Sequence, residues 1–366
     1  MSFENADSLG PEKHIELYDP IVGLKAILVV DNTAAGPAIG GVRMAPDVTA
    51  HECFRLARAM TFKNAAAGLP HGGGKSVIVG DPAMPPEHKE RVIRAFARAI
   101  AKIENYIPGP DMGTDETAMA WVRDEIGRAV GLPRELGGIP LDEIGATGYG
   151  LAAAAEAAQP YCGFGLSGAR LAIQGFGAVG QHGARFLGEK GAILVAASDS
   201  KGTISDPAGL DVAALIALKR AGKSVVDHAR GKKGDPGAVV DADCDIWIPA
   251  ARPDVIGMAN VDRLKARLVL QGANIPITRD AEQALHKKGV LVVPDFIANA
   301  GGVICASVEY HGGTQAGAFA AIREKIHANT SETLERSKTE RIAPRDAAEA
   351  LAKDRVLRAM SYRRHG

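Results

Sequence analysis

The chain has 366 residues, 46% hydrophobic and 23% charged, a composition ordinary for a soluble globular protein and a length that suggests two domains. Its 43 Lys and Arg balance 43 Asp and Glu, so there is no electrostatic reason to expect nucleic acid or an acidic membrane as partner, and a small molecule is the default ligand. Cys53, Cys162, Cys244 and Cys305 are scattered, with no metal-ligand or disulfide spacing. The first twenty residues lack the apolar core of a signal peptide, and no apolar run reaches the roughly 18 residues needed to span a bilayer, so a reducing, cytoplasmic location is expected.

In chain order, LKAILVV (24–30) and KSVIV (75–79) read as strands, and 51–67, 87–102 and 117–130 carry helical spacing. The Gly- and Pro-rich stretch 131–148 reads as a loop and a domain boundary. After it come an Ala-rich helix, a strand (169–174), the turn GFGAVG (175–180), a helix (179–190) and a second strand (192–197). CDIWIPA, RLVLQGAN and GVLVVPDF continue the alternation, which argues for an open parallel sheet with helices on both faces. The expected fold is α/β: an N-terminal α/β substrate and oligomerisation domain (1–140) and a Rossmann-type, doubly wound dinucleotide domain (141–330), with a cleft between them. The charged last helices, about 330–366, are candidates to return to the first domain.

Gly175, Gly177 and Gly180 form GxGxxG between a strand and a helix, the setting that makes this motif informative. The first glycine permits a tight turn, the second lets a pyrophosphate approach and the third lets helix and strand pack closely. The amides of Ala178, Val179 and Gly180 open the helix, where phosphate binds. Asp199 stands at the end of the second strand, where a carboxylate can bind the ribose hydroxyls of NAD. Ser198, Ser200 and Lys201 around it could accept the 2′-phosphate of NADP, so both cofactors stay open, with a slight lean to NAD.

The segment MTFKNAAAGLPHGGGKSVIVGDP holds Lys63 and Lys75. It is not a P-loop, because Leu69 stands where that motif needs glycine. A lysine desolvated in a closed site loses basicity and can act as a general base. Asp111, framed by Pro and Gly in IPGPDMGTDE, is a plausible proton shuttle.

Together PAIGGVRM, MTFKNAAAGLPHGGGKSV, GPDMGTDETAMAWV, ATGYG, GFGAVG, SDSKG, GANIPIT and PDFIANAGGV resemble the glutamate/leucine/phenylalanine/valine dehydrogenase family over nearly the whole chain. The resemblance implies NAD(P)-dependent oxidative deamination of an L-amino acid to a 2-oxo acid and ammonia by a homo-oligomer, without a metal. It implies Lys75 as the catalytic lysine, Asp111 as the group exchanging protons with the substrate nitrogen, and Lys63 as the ligand of the substrate α-carboxylate. Gly40 and Gly41 would let the backbone lie against the substrate. Thr147 and Asn274 would contact the nicotinamide end of the cofactor, with Ser200, Ala250 and Asn299 as further cofactor contacts.

The side-chain pocket departs from the glutamate branch. That branch has Lys just before the GG of its KGGxR motif and Ser three residues beyond the Val of NAGGV; here Ile39 and Ala306 stand there. Ile39, Met60, Val303 and Ala306, with Gly109 beside Asp111, would line an apolar pocket. A small or apolar substrate of the leucine, valine or phenylalanine kind is therefore expected, with glutamate as the alternative. His71, where the family commonly has Met, would touch the lysine or substrate, or be a local packing change. A non-catalytic nucleotide sensor on this fold would be expected to lack Lys75 or Asp111; both are present.

Overall fold

The computed structural model describes residues 4–363. The chain forms two units: residues 1–140, 303–318 and 349–366 make the first, and 141–302 and 319–348 the second. Segment 303–318 thus belongs with the first unit, not with the nucleotide domain to which its position in the chain assigned it.

In the first unit, β1 (Lys13–Asp19), β2 (Leu24–Asn32), β3 (Ala38–Ala45), β4 (Gly72–Val79) and β5 (Tyr106–Pro110) form a sheet of order β1-β2-β4-β3-β5. β1–β2 and β2–β4 pair antiparallel, whereas β3 runs parallel to both β4 and β5. Side chains alternate across a strand, so each face has its own cover. Ala38, Val42, Met44, Ile78 and Tyr106 pack with Phe96 and Met119 of helices α2 (Pro86–Ala99) and α3 (Glu116–Ile126). Burying a side chain such as Phe96 contributes about 1.5–3 kcal/mol. The opposite face sets Val29, Ala45 and Val77 against Cys53 and Ala57 of α1 (Ala50–Ala66). Thr49 caps α1 by accepting from the Glu52 amide, and Asp115 caps α3 by accepting from that of Ala118, each worth about 1 kcal/mol.

The expected third helix (117–130) stops early, at Ile126, because Gly127 turns left-handed at φ +73° and closes it. β3 and β5 were not legible as strands: AIGGVRMA and YIPGP carry the glycines and prolines that β-propensity disfavours. Pairing to neighbours overrides that preference.

In the second unit, β6 (Arg170–Gln174), β7 (Ile193–Asp199), β8 (Gly202–Ser205), β9 (Lys232–Gly234), β10 (Ile246–Pro249), β11 (Leu268–Leu270) and β12 (Leu291–Val293) form a sheet of order β12-β11-β10-β6-β7-β8-β9. Strands β12 to β7 are parallel. β8 and β9 are antiparallel additions at one edge, so the all-parallel expectation needs correction there. Ser200 and Lys201 form a two-residue hairpin between Asp199 and its partner Gly202, a connection only antiparallel strands can use. The helices are α4 (Leu141–Ile144), α5 (Ala146–Cys162), α6 (Ala178–Gly188), α7 (Val212–Arg220), α8 (Arg279–Lys287) and α9 (Asp295–Ala298). The expected loop 131–148 therefore already contains α4 and the start of α5. Three long helices close the chain: α10 (Gly301–Tyr310), α11 (Gln315–Glu340) and α12 (Pro344–Ser361). Among the described residues no helix is long and apolar enough to cross a membrane.

Candidate active site

Strand register gathers one group of predicted residues in the first unit. Ile39 pairs with Gly73 of β4 and Ile107 of β5, and Gly41 pairs with Gly109. Ile39, Gly41 and Arg43 therefore share a face with Gly73, Lys75, Ile107 and Gly109, the face that α1 covers. The glycines make room for this packing. A Cβ on Gly73 would strike Thr61 of α1, and one on Gly40 would strike the Gly74 carbonyl. On Gly41 it would come within 2.7 Å of Asp111 Cβ and 2.9 Å of its Oδ2.

Lys75 is buried, and its Nζ donates to Asp111 Oδ2. The other oxygen, Oδ1, accepts from Arg43 Nε at 2.9 Å and from the Met112 amide at 2.7 Å. Arg43 in turn reaches Glu52 at 2.6 Å. Thr114 fixes the turn: its hydroxyl accepts from the Asp111 amide at 3.0 Å and donates to the Val42 carbonyl at 2.8 Å. Burial pulls the Lys75 ammonium below its ordinary pKa and the nearby Arg43 charge adds to this, against the pull of Asp111. Burial alone would push the Asp111 carboxyl up, but Lys75 and Arg43 outweigh it and hold it below its usual range. The result is a lysine biased towards its free amine beside a persistent carboxylate. Arg43, Glu52 and Thr114 escaped the sequence reading, although Arg43 lies in the quoted PAIGGVRM.

Ile39 and Ala306 pack with Ile107 and Val130 in one buried apolar cluster. A Cβ on Gly109 would approach Val130 Cγ2 to 3.1 Å. Ile107 is an addition that the register reveals, and Val130 one that the loop after α3 brings in, its amide donating to the Pro108 carbonyl at 2.9 Å. Met60 and Lys63 lie one turn apart on α1, both half-buried, and Val303 is half-buried on α10; none of the three belongs to this cluster. Asn64, missed in the FKN match, ties α1 to the Gly72 carbonyl at 2.7 Å.

His71 is buried, and its described contacts do not include Lys75 or Asp111. Its Nδ1 lies 3.1 Å from the Pro37 carbonyl, Nε2 has no partner, and its ring packs against Tyr310 and His311. Burial lowers its pKa from 6.5 to about 4. The folded protein thus resists protonation that the unfolded chain accepts, so this contribution is complete above about pH 6.5 and is lost as pH falls towards 4. Relative to His71→Met, the wild type should lose about 2 kcal/mol more stability between pH 7 and pH 5. Urea unfolding at both pH values checks this; equal losses in the two proteins would contradict it.

A second group gathers in the other unit. Gly175 takes φ +90° and a Cβ there would lie 2.8 Å from Ala251; one on Gly180 would strike the Gly175 carbonyl. A Cβ on Gly177 would meet nothing within 4 Å, leaving open space beside the first turn of α6, where Ala178 is exposed and no side chain caps the helix. A phosphate-bearing ligand fits that cradle. Gly177, Asp199, Ser200, Lys219, Ala250, Arg252 and Arg263 help line a cavity of about 780 Å³. Asp199 is not a free carboxylate there. It accepts from Lys219 (2.8 Å), Ser224 Oγ (2.8 Å) and the amides of Val225 and Lys201 (both 3.0 Å). Burial opposes its charge, but these donors bring its pKa to about 2. Four donors fill its acceptor sites, so the expected role as ribose ligand is not open to it in this arrangement. Elsewhere in the unit, Gly272 lies against Val179 and Ala250. Asn299 donates to Asn274 Oδ1 at 3.0 Å, and Thr147 lies beside Gly301 and Gly302.

Two profiles match almost end to end: "Glu/Leu/Phe/Val dehydrogenase, dimerisation domain" over residues 11–128 and "Glutamate/Leucine/Phenylalanine/Valine dehydrogenase" over 137–364. The chain belongs to this family. It is an NAD(P)-dependent amino-acid dehydrogenase with a Rossmann-type nucleotide unit. A glutamate dehydrogenase of Aeropyrum pernix is 41% identical over 356 residues, 91% of this chain and 85% of that one. An NADP-specific glutamate dehydrogenase of Saccharolobus shibatae is 38% identical over 91% of this chain and 83% of the relative. The crystal structure of L-tryptophan dehydrogenase from Nostoc punctiforme superposes with a TM-score of 0.77 at 27% identity, covering 98% of this chain and all of the other. Both sequence relatives carry the name glutamate dehydrogenase.

Proposed function

We propose that the dehydrogenase oxidatively deaminates an L-amino acid with an apolar side chain, reversibly. The observation carrying this is the buried cluster of Ile39, Ile107, Val130 and Ala306 on the face that bears Lys75 and Asp111. Ile39 and Ala306 occupy the positions where the glutamate branch has its carboxylate ligands, and a charged substrate end against them would be desolvated without a partner, at a cost of several kcal/mol. A second reading, glutamate held by other ligands, is favoured by the names of the relatives.

When bound, the nicotinamide supplies the hydride acceptor for Cα. Lys63 binds the α-carboxylate. Lys75, as the free amine, takes a proton from the water that adds to the iminium carbon. Asp111, ionised, first takes a proton from the substrate ammonium and later returns it to the carbinolamine nitrogen; the carbinolamine then gives up its hydroxyl proton to Asp111 as it collapses to 2-oxo acid and ammonia. Arg43 holds Asp111 ionised and disfavours charge on Lys75.

With its acceptor sites filled and its charge balanced by Lys219, Asp199 offers little repulsion to a 2′-phosphate. Arg252 adds positive charge to the cavity wall, where Arg263 is already paired with Asp241. This supports NADP as well as NAD, against the slight lean to NAD. The edge strand β1, half-buried to exposed along its length, supports a homo-oligomer, as does the dimerisation-domain match.

A panel of 2-oxo acids with ammonia, run with NADH and with NADPH, tests the reading. Reductive amination of 4-methyl-2-oxopentanoate or phenylpyruvate well above that of 2-oxoglutarate is expected. The reverse ranking would establish the glutamate reading, and activity with none of them would reject both.

A further inference from the structure

The turn after β11 is strained and clamped. Ile275 takes φ +49°, a conformation unfavourable for a β-branched residue and found where the surroundings enforce it. Its side chain is about half exposed, so core packing does not enforce it. Hydrogen bonds do. The Ile275 amide donates to Asp295 Oδ2 at 2.8 Å. One helical turn further along, Asn299 donates to Asn274 Oδ1 at 3.0 Å and to the carbonyls of Gly272 and Ala273 at 3.3 Å. The short helix α9 thus grips both sides of the turn, from Asp295 at its start and Asn299 at its end.

Asp295 is itself held from α12. Arg345 Nη2 donates to Asp295 Oδ1 at 3.0 Å, to Glu282 Oε1 at 2.8 Å and to Gln271 Oε1 at 3.1 Å, while Nε reaches the other Glu282 oxygen. Gln271 closes the ring by donating to Glu282. The side chains are 14% (Arg345), 4% (Glu282) and 8% (Asp295) exposed. One guanidinium therefore serves two buried carboxylates, and its planar fork lets it bridge both, which an ammonium could not do. Gln271 opens the segment that leads to Asn274, so Arg345 touches the start of the turn directly and its strained end through Asp295.

We infer that Arg345 is a positioning residue for the cofactor: through Asp295 it holds Ile275 in its left-handed conformation and so sets where Asn274 is presented. This rests on the reading that Asn274 contacts the nicotinamide end. The effect should be largest at that end: Gly177, Asp199 and Lys219 make no side-chain bond to this network, and the wall of the nucleotide cavity meets the turn through backbone, the Asp254 amide donating to the Ile275 carbonyl at 2.9 Å.

The test compares the dissociation constants of NADPH and of ADP-ribose, which has no nicotinamide, by calorimetry on folded protein. Arg345→Met should weaken NADPH about tenfold and lower kcat, with ADP-ribose changed less than twofold. Adding Ile275→Asn, a residue that tolerates the left-handed region, should recover most of the lost NADPH affinity. Equal weakening of both ligands, no weakening, or no recovery would overturn the inference and leave Arg345 as a fold-stabilising residue. Should Arg345→Met not fold, Arg345→Lys keeps the charge without the fork and carries the same comparison. Asn274→Ala keeps the two failures apart. If it leaves NADPH binding at the wild-type value, the reading of Asn274 is wrong; if it weakens NADPH while the Arg345 variants do not, only the inference falls.

Discussion

Replacing Lys75 by alanine is expected to leave cofactor binding intact and to reduce turnover by about 10²–10⁴-fold, the range that a positioned general base provides. Binding should survive because the nucleotide cavity is lined by residues of the second unit. The fold should survive because Asp111 keeps Arg43 and the Met112 amide when its lysine is lost. The pH profile carries a sharper signature. Burial and Arg43 both lower the pKa of Lys75, and the working form is the free amine. Deamination should therefore rise with pH through an inflection below the ordinary lysine value of 10.5. Arg43→Gln removes the neighbouring cation, so the inflection should move to higher pH. Steady-state rates across pH, with cofactor binding followed by fluorescence, check all three statements. Unchanged kcat in Lys75→Ala, or the same inflection persisting in that variant, would remove Lys75 from the mechanism.

The parts legible in the sequence are those whose demands are local. The glycines of GFGAVG announce a strand–turn–helix because each answers a backbone need at its own position, as the positive φ of Gly175 illustrates. The Lys75–Asp111 pair is different. The two lie 36 residues apart, and no spacing rule brings them together; only the family motifs paired them. Ile107 and Arg43 were hidden for the same reason, since the register of β3 with β4 and β5 decides what stands beside Ile39 and Gly41, and Val130 joins them from a loop tied to the Pro108 carbonyl. Asp199 shows the converse. Its place at a strand end was readable, but the donors that fill it come from Lys219 and the 224–225 segment. A motif marks where a carboxylate stands and is silent about what already holds it.

The double variant Ile39→Lys with Ala306→Ser should exchange the substrate class. Ile39 is 3% exposed, in contact with an apolar cluster. A lysine there gives a substrate carboxylate the partner it lacks, and the serine supplies a second donor. An unpaired buried charge costs several kcal/mol, and each 1.4 kcal/mol is tenfold in rate or affinity. The ratio of kcat/KM for 2-oxoglutarate over 4-methyl-2-oxopentanoate should therefore rise by at least about 10²-fold. Most of the early change should be loss on the apolar acid, because the new ammonium must be desolvated to admit it. Ile39→Lys alone should lower apolar turnover and thermal stability together, and bound 2-oxoglutarate with cofactor should restore part of the stability by pairing the buried charge. Turnover of the apolar acid at the wild-type rate in the folded double variant would mean that Ile39 and Ala306 lie away from the substrate side chain, and the apolar reading would lose its support.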